Sequence, residues 1–239
     1  TLIEEQDVSA MFRRFRAAGE LPYGAFGELV WETQRLEMQA LAERVMAERQ
    51  QAQSMEIDLQ CGGVNLTGWL QQVQPDGLLR WRPSLLSVSQ GMQLWLEHLV
   101  YCASGGTGES RLFVRKEGEW RFPPLAPAEA QAYLNELVDG YLLGMSQPLL
   151  LLPESGGAWL KACYDAEKDV ILMDEETQQK ARSKFLQTYE GNMVVSGEGA
   201  DIWYQRLWRS LEPAHYEEII AQTQRYLLPL YRYHRSTQI

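Results

Sequence analysis

Between residues 24 and 50, Phe26, Leu29, Val30, Leu36, Leu41 and Val45 recur at helical spacing among Glu, Gln and Arg, so the pattern predicts one long helix. LPYG at 21–24 breaks the chain ahead of it. From Met55 the period drops to two: Met55, Ile57 and Leu59 alternate with Glu56, Asp58 and Gln60. CGG (61–63) turns the chain, VNLTGWLQQV (64–73) resumes an extended run, and QPDG (74–77) turns it again before LLRWR. Connections this short predict an antiparallel meander of three strands, because a parallel crossover needs a dozen residues or more. Past Pro83 the helical period returns over about 86–103, with Val88, Met92, Trp95, Leu96 and Leu99 on one face. SGGTG (104–108) ends that helix, and SRLFVRK (110–116) reads as a fourth strand. Three more helices are predicted: 127–143 and 213–228, each opened by proline, and 174–188, with acidic residues in its first turn. The order is helix, three strands, helix, strand, then helices: one α/β domain over 1–239 with a helical C-terminal portion.

At 239 residues, 45% hydrophobic and 23% charged, the chain can bury a substantial core. A formal charge of −10 argues against a broad surface that grips nucleic acid unaided, since phosphate binding needs clustered Lys and Arg. Cys61, Cys102 and Cys163 lack metal-ligand spacing and are read as reduced, packed thiols of a cytoplasmic protein. No apolar run approaches the roughly 20 residues of a membrane span; PLLLLP (148–153) is short and closed by proline at both ends. The opening TLIEEQDVSAMFRRF, with Thr first and no signal peptide, reads as the start of a fragment of a longer chain.

The element order resembles the PD-(D/E)XK nuclease fold. Its sites use Gly-x-hydrophobic-Asp on one strand, Asp-Tyr-Lys on the next and a Gln-hydrophobic pair on a helix, so that carboxylates on adjacent strands hold a divalent metal whose bound water attacks phosphate. GWLQQV aligns on the first element, LLRWRPS on the second and GMQLWLEHLVYCA (91–103) on the helix. Gln71 then stands at the first Asp, Arg80 at the second, Trp81 at the Tyr and Arg82 at the Lys, with Gln93-Leu94 as the helix pair. GAFGE (24–28) places Glu28 where these nucleases carry a His on the first helix. A cation would be repelled by two guanidinium groups on the neighbouring strand, so the resemblance implies a nuclease scaffold without catalytic residues, cofactor or metal of its own.

Longer stretches sharpen this. LPYGAFGELVWETQ, GMQLWLEHLVYCASGG, LPESGGAWLKACYDA (152–166) and KARSKFLQTYEGN (180–192) resemble the C-terminal region of the RecC family, gamma subunits of the RecBCD helicase–nuclease (exodeoxyribonuclease V). The resemblance implies a non-catalytic, DNA-guiding part of a machine that processes DNA ends and responds to Chi. Its partners would be RecB, RecD and DNA, with Mg²⁺ and ATP used by the partner subunits.

The residues themselves leave alternatives. Arg80 and Arg82 share a strand face by period two, and either an ion-paired strand or a DNA-backbone contact suits them. An active nuclease with migrated carboxylates would draw on Glu56, Asp58 or Glu97. A small-molecule enzyme lacks any nucleophile–base pair or cofactor motif to support it. IWYQRLWRSL (202–211) and the eight Trp read as core and interface rather than stacking platforms, and His98, His215 and His234 as structural. PESGG (153–157) lacks the Lys of a phosphate-binding P-loop. An enclosed pair of arginines needs a counter-charge, and the alignment nominates Glu28 for an ion pair with Arg80 or Arg82.

Overall fold

The computed structural model describes residues 8–116 and 118–235. Helix α1 (Val8–Ala17) precedes the long α2 (Ala25–Glu48), which is followed by β1 (Gln53–Cys61), β2 (Val64–Gln74) and β3 (Gly77–Arg82). Next come α3 (Val88–Ala103), β4 (Glu109–Val114) and β5 (Glu119–Phe122). The remainder comprises α4 (Pro127–Gly144), α5 (Pro153–Cys163), a small hairpin of β6 (Tyr164–Asp165) and β7 (Val170–Ile171), α6 (Glu175–Glu190), α7 (Ile202–Leu207), α8 (Pro213–Tyr226) and α9 (Leu228–Tyr233). The helix, three-strand, helix, strand order is as expected, and β1 to β5 form one mixed sheet in sequence order. Its β1–β2, β2–β3 and β4–β5 pairs are antiparallel. The β3–β4 pair, joined through α3, is parallel.

Strand alternation sends side chains to two different cores. Leu78 and Leu112 face α3 and join a large cluster that runs through Trp95, Leu99, Trp120 and Phe122 into α4, α5, α6, α8 and α9. Leu79 and Phe113 face the other way and meet Leu41 and Val45 of α2, with Trp81 packed alongside. The long helix therefore places apolar side chains on the sheet from its C-terminal half, while farther up Gln34 accepts a hydrogen bond from Arg115 at 3.1 Å. Its upstream apolar residues do not reach the sheet: Phe26, Leu29 and Leu36 are 75%, 64% and 53% exposed. Phe12 and Phe15 of α1 pack on Trp31 instead.

Several elements escape the pattern reading for physical reasons. β5 is four residues long, and the strand before it stops at Val114 because Lys116 turns the chain at φ +66°. α5 begins in PESGG, where two glycines lower helix propensity. Packing supplies the reason for them: a Cβ on Gly156 would collide with Thr223 of α8, and one on Gly157 with Val88 of α3. The first-turn amides of α5 are also taken, since the Glu198 carboxylate accepts from the Glu154 and Ser155 N–H groups at 3.1 and 2.7 Å. Glu154 in turn caps α3, accepting from the N–H groups of Val88 and Ser89 at 3.0 and 2.9 Å. Both helix N-termini, ready-made for anions, are thus filled by internal carboxylates.

All three histidines serve structure. His215 completes a capping box with Glu212 at the start of α8. The Nδ1 atom of His234 accepts from the Arg121 N–H at 3.3 Å, holding the last described turn on β5. His98 is fully buried on α3, its Nδ1 2.7 Å from the Ser110 hydroxyl of β4 and its Nε2 3.6 Å from the Cys102 sulfur. The cysteines are free thiols and all buried. No helix among the described residues is long and apolar enough to cross a membrane.

Burial pushes the His98 imidazole down to about 4, against a weaker upward pull from the Pro123 backbone. A folded-state value below the unfolded one near 6.5 means that the unfolded chain takes up the proton first. The neutral ring therefore contributes stability that is complete above pH 6.5 and is lost as the pH falls towards 4, amounting to roughly 3 kcal/mol. Urea denaturation at pH 7 and pH 4.5 should show the His98→Phe variant losing less stability across that interval than the parent; equal losses would place the acid sensitivity elsewhere.

Candidate functional site

The cavity on the α3 face of the sheet begins with a fault in β2. Met55 pairs with Leu70, but Gln53 pairs with Val73, so Gln71 and Gln72 both stand against Ser54. This is a β-bulge, and within it Gln72 adopts a positive φ of 58°. The Gln71 amide oxygen is turned to the Ser54 hydroxyl, 2.6 Å away. Beyond the bulge the β2–β3 ladder consists of Val73 opposite Leu78 and Gln74 opposite Gly77. Past that short ladder the two strands part.

Arg80 spans the gap. Its Nη2 donates to the Gln71 carbonyl at 2.8 Å, its Nη1 to the Gln72 carbonyl at 3.2 Å, and its Nε to the Glu97 carboxylate of α3 at 2.6 Å. The planar guanidinium offers donors in a fixed fork, so one side chain satisfies two bulge carbonyls and fixes a helix in the same plane. Two residues on, Arg82 leans on α3 more loosely, with Nη2 3.4 Å from the Gln93 side-chain oxygen. Together with Gln72, Gln90 and Leu94 these residues line a cavity of about 340 Å³.

The structure brings together Gln71, Arg80, Arg82 and Gln93, with both arginines on one strand face as period two requires. Glu28 is not with them. It is exposed in the first turn of α2, a helix that packs on the opposite, Leu79 and Phe113 side of the sheet. It also precedes Leu41, where that packing begins, by 13 residues, about 20 Å of helix at 1.5 Å per residue. The expected ion pair with Glu28 is therefore not made; Glu97 supplies the counter-charge because it sits one helical turn past Gln93 on the facing helix. That four-residue spacing is visible in the sequence, which also offers Glu97 as a carboxylate for a migrated metal site, but the sequence does not show that Arg80 holds it. Glu56 and Asp58 lie exposed on β1, opposite Trp69 and Thr67, away from the cavity lining. No cluster of three or more His, Cys, Asp or Glu side chains able to hold a metal ion occurs among the described residues.

The cavity holds two cations against one carboxylate, in a partly enclosed setting where the Arg80 and Glu97 side chains are 21% and 25% exposed. Such an arrangement binds helix to sheet; it offers no carboxylate cage for a divalent ion, whose charge Arg80 and Arg82 would oppose. The aromatic segment near the C-terminus divides: Tyr204 and Trp208 pack 5.0 Å apart, while Trp203 is 67% exposed.

Glu97→Ala, which leaves Arg80 enclosed without its carboxylate, should cost about 1–3 kcal/mol in urea denaturation, whereas Glu28→Ala should change stability by under about 0.5 kcal/mol. Arg80→Ala should speed amide exchange at Gln71–Val73, where the guanidinium holds the bulge. A Glu28 effect as large as that of Glu97 would show that the ion-pair assignment is wrong.

The RecC C-terminal domain family matches residues 1–164. The RecBCD enzyme subunit RecC of Escherichia coli strain K12 is 71% identical over 235 residues, covering 98% of this chain and 21% of that protein. RecC subunits from Buchnera aphidicola of Acyrthosiphon pisum and of Schizaphis graminum are 32% and 30% identical, over 96% and 98% of the chain. The chain spans about a fifth of the length of these relatives. A family match across its sheet and first helices, with identity running on through the C-terminal helices, means that the chain belongs to the RecC C-terminal domain family.

Proposed function

We propose that this chain is a non-catalytic scaffold and DNA-guiding domain of a RecBCD-type helicase–nuclease, acting in the cytoplasm on double-stranded DNA ends during recombinational repair. RecB and RecD are the partners that this reading assigns to it. Mg²⁺ and ATP are used by those subunits, and this domain holds no cofactor.

One observation carries the reading: Arg80, which the nuclease resemblance aligns with a metal-binding carboxylate, is held in an ion pair with Glu97 at 2.6 Å. Metal-dependent phosphodiester cleavage requires ligands on adjacent strands to bring the ion, and its bound water, against the phosphate. On β2 the corresponding side chain is the neutral Gln71, committed to Ser54; on β3 it is a cation committed to Glu97. Retaining the fold while filling its site with a structural ion pair suits a domain whose role is to present surfaces. The RecC names of its relatives agree with that role.

DNA would be guided by arginines at the surface rather than gripped. Arg80 is spent on protein acceptors, so Arg82, at the cavity mouth, is the better backbone contact of the two. A chain of net charge −10 holds DNA only through such local cations.

Purified chain, free of RecB, should leave linear DNA uncut with Mg²⁺ or Mn²⁺. Cleavage that follows the protein through purification and disappears in Glu97→Ala would instead identify an active nuclease. DNA affinity of the chain alone should be weak and fall steeply between about 50 and 200 mM salt, as expected when phosphate contacts release counterions. Tight binding that is insensitive to salt would contradict a guiding role built on a few arginines.

A further inference from the structure

The β1–β2 hairpin runs on past the rest of the sheet. β3 meets β2 only at Val73 and Gln74, whereas β1 accompanies β2 from Val64 to Val73. From Val64 to Gln72, β2 therefore has a partner on one side and an open edge on the other.

The turn decides which groups stand on that edge. Gly62 and Gly63, at positive φ of 56° and 84°, form a two-residue loop closed by the Cys61–Val64 pair, which in such a tight hairpin exchanges both of its hydrogen bonds. Counting by two, Leu66, Gly68 and Leu70 also bond to β1, and Asn65, Thr67 and Trp69 turn their N–H and C=O groups outward. Gln71 has the same parity, and its carbonyl accepts from Nη2 of Arg80 at 2.8 Å. Nη1 of Arg80 donates to the Gln72 carbonyl as well, which ends the open stretch. No described group meets the outward amides and carbonyls of Asn65, Thr67 and Trp69, and all three residues are exposed. Open edges are commonly blunted by charge or proline. The run VNLTGWL (64–70) carries neither.

The two faces of the hairpin describe the strand that fits. On the inner face Val64 and Leu66 border an apolar groove of about 940 Å³ between α3 and α4, so alternate residues of an added strand meet apolar surface. On the outer face Trp69, 62% exposed, lies opposite Glu56, and Thr67 lies opposite Asp58, with both carboxylates in solvent. A basic side chain beside Trp69 would cross its ring towards Glu56. A second copy of this chain brings the same two carboxylates and a net charge of −10, so the complementary occupant is a different polypeptide.

We propose that the Asn65–Trp69 edge of β2 receives an extended segment of a partner protein, alternating apolar residues with Lys or Arg and paired to β2 as a further strand. The proposal rests on reading the chain as a scaffold and gives that scaffold a mode of attachment. Backbone bonds to Asn65, Thr67 and Trp69 supply affinity, and the alternating side chains select the partner.

Fluorescent peptides of about nine residues, alternating Val with Lys or Val with Glu, test it by anisotropy against the full chain. The Lys peptide should bind about tenfold more tightly than its Glu twin, a difference of about 1.4 kcal/mol. Glu56→Lys combined with Asp58→Lys should reverse that order. Methylating the peptide amides separates a paired strand from simple adhesion: blocking one alternate set should abolish binding, and blocking the other should leave it intact. Thr67→Pro removes an outward N–H without taking a bond from the β1 ladder, and should weaken the Lys peptide about tenfold. Equal affinities for the two peptides, no binding, or loss with both methylated sets or with neither would overturn the proposal. So would a dimer of the chain that Thr67→Pro abolishes, which would make a second copy the occupant. DNA cleavage is measured on the same preparations. Peptides that fail on a chain that leaves DNA uncut remove the edge assignment alone, whereas cleavage removes the scaffold reading.

Discussion

Everything around the cavity depends on the guanidinium of Arg80. The bulge at Gln71 and Gln72 turns two carbonyls away from their ladder partners, and a partly enclosed carbonyl without a donor costs free energy comparable to a lost hydrogen bond. Arg80 supplies those donors and, in the same plane, takes hold of Glu97. An ammonium would carry the same charge without the fixed directions, so a lysine at this position could not close the gap in the same way. The local fault in the sheet, the seating of α3 and the shape of the cavity are three views of one side chain.

Internal charges are placed by the same logic elsewhere. Glu198 lies under the first turn of α5, and Glu154, from that turn, lies under the first turn of α3. The carboxylates complement the positive ends of two helix dipoles while satisfying amides that have no partner within their own helices. Burial drives the Glu198 carboxyl upward, and the amides of α5 oppose that shift. A chain of caps thus ties the C-terminal helices to α3, and through Glu97 to the sheet. Substrate-like anions find these sites already occupied.

With its polar interior committed in this way, the molecule leaves its unsatisfied chemistry on the outside. The N-terminal half of α2 and the groove beside α4 expose apolar side chains in numbers that a free-standing protein has little reason to keep. Arg82, unlike Arg80, keeps a largely open guanidinium. A domain whose site is filled and whose surface is not complete suits a subunit.

Much of the fold was legible in the chain because periodicity is a local property. The change from period 3.6 to period 2 at Met55, the short turns at 61–63 and 74–77 and the return of helical spacing after Pro83 determined the meander, the α3 crossover and the shared face of Arg80 and Arg82. That Gln71 and Arg80 stand at carboxylate positions is what the resemblance to the nuclease fold implies, not what periodicity shows. Tertiary structure decided the rest. Which half of α2 is buried depends on how far the sheet extends beneath it, so Phe26 and Leu29 look like core and are surface. α5 exists because Gly156 and Gly157 admit α8 and α3 at close range, a fact about neighbours distant in sequence. The partner of Arg80 could not be read from the chain either: Glu28 and Glu97 are equally acidic in sequence, and only the alternation of strand faces, which puts α2 on one side of the sheet and α3 on the other, brings one to the guanidinium and keeps the other away.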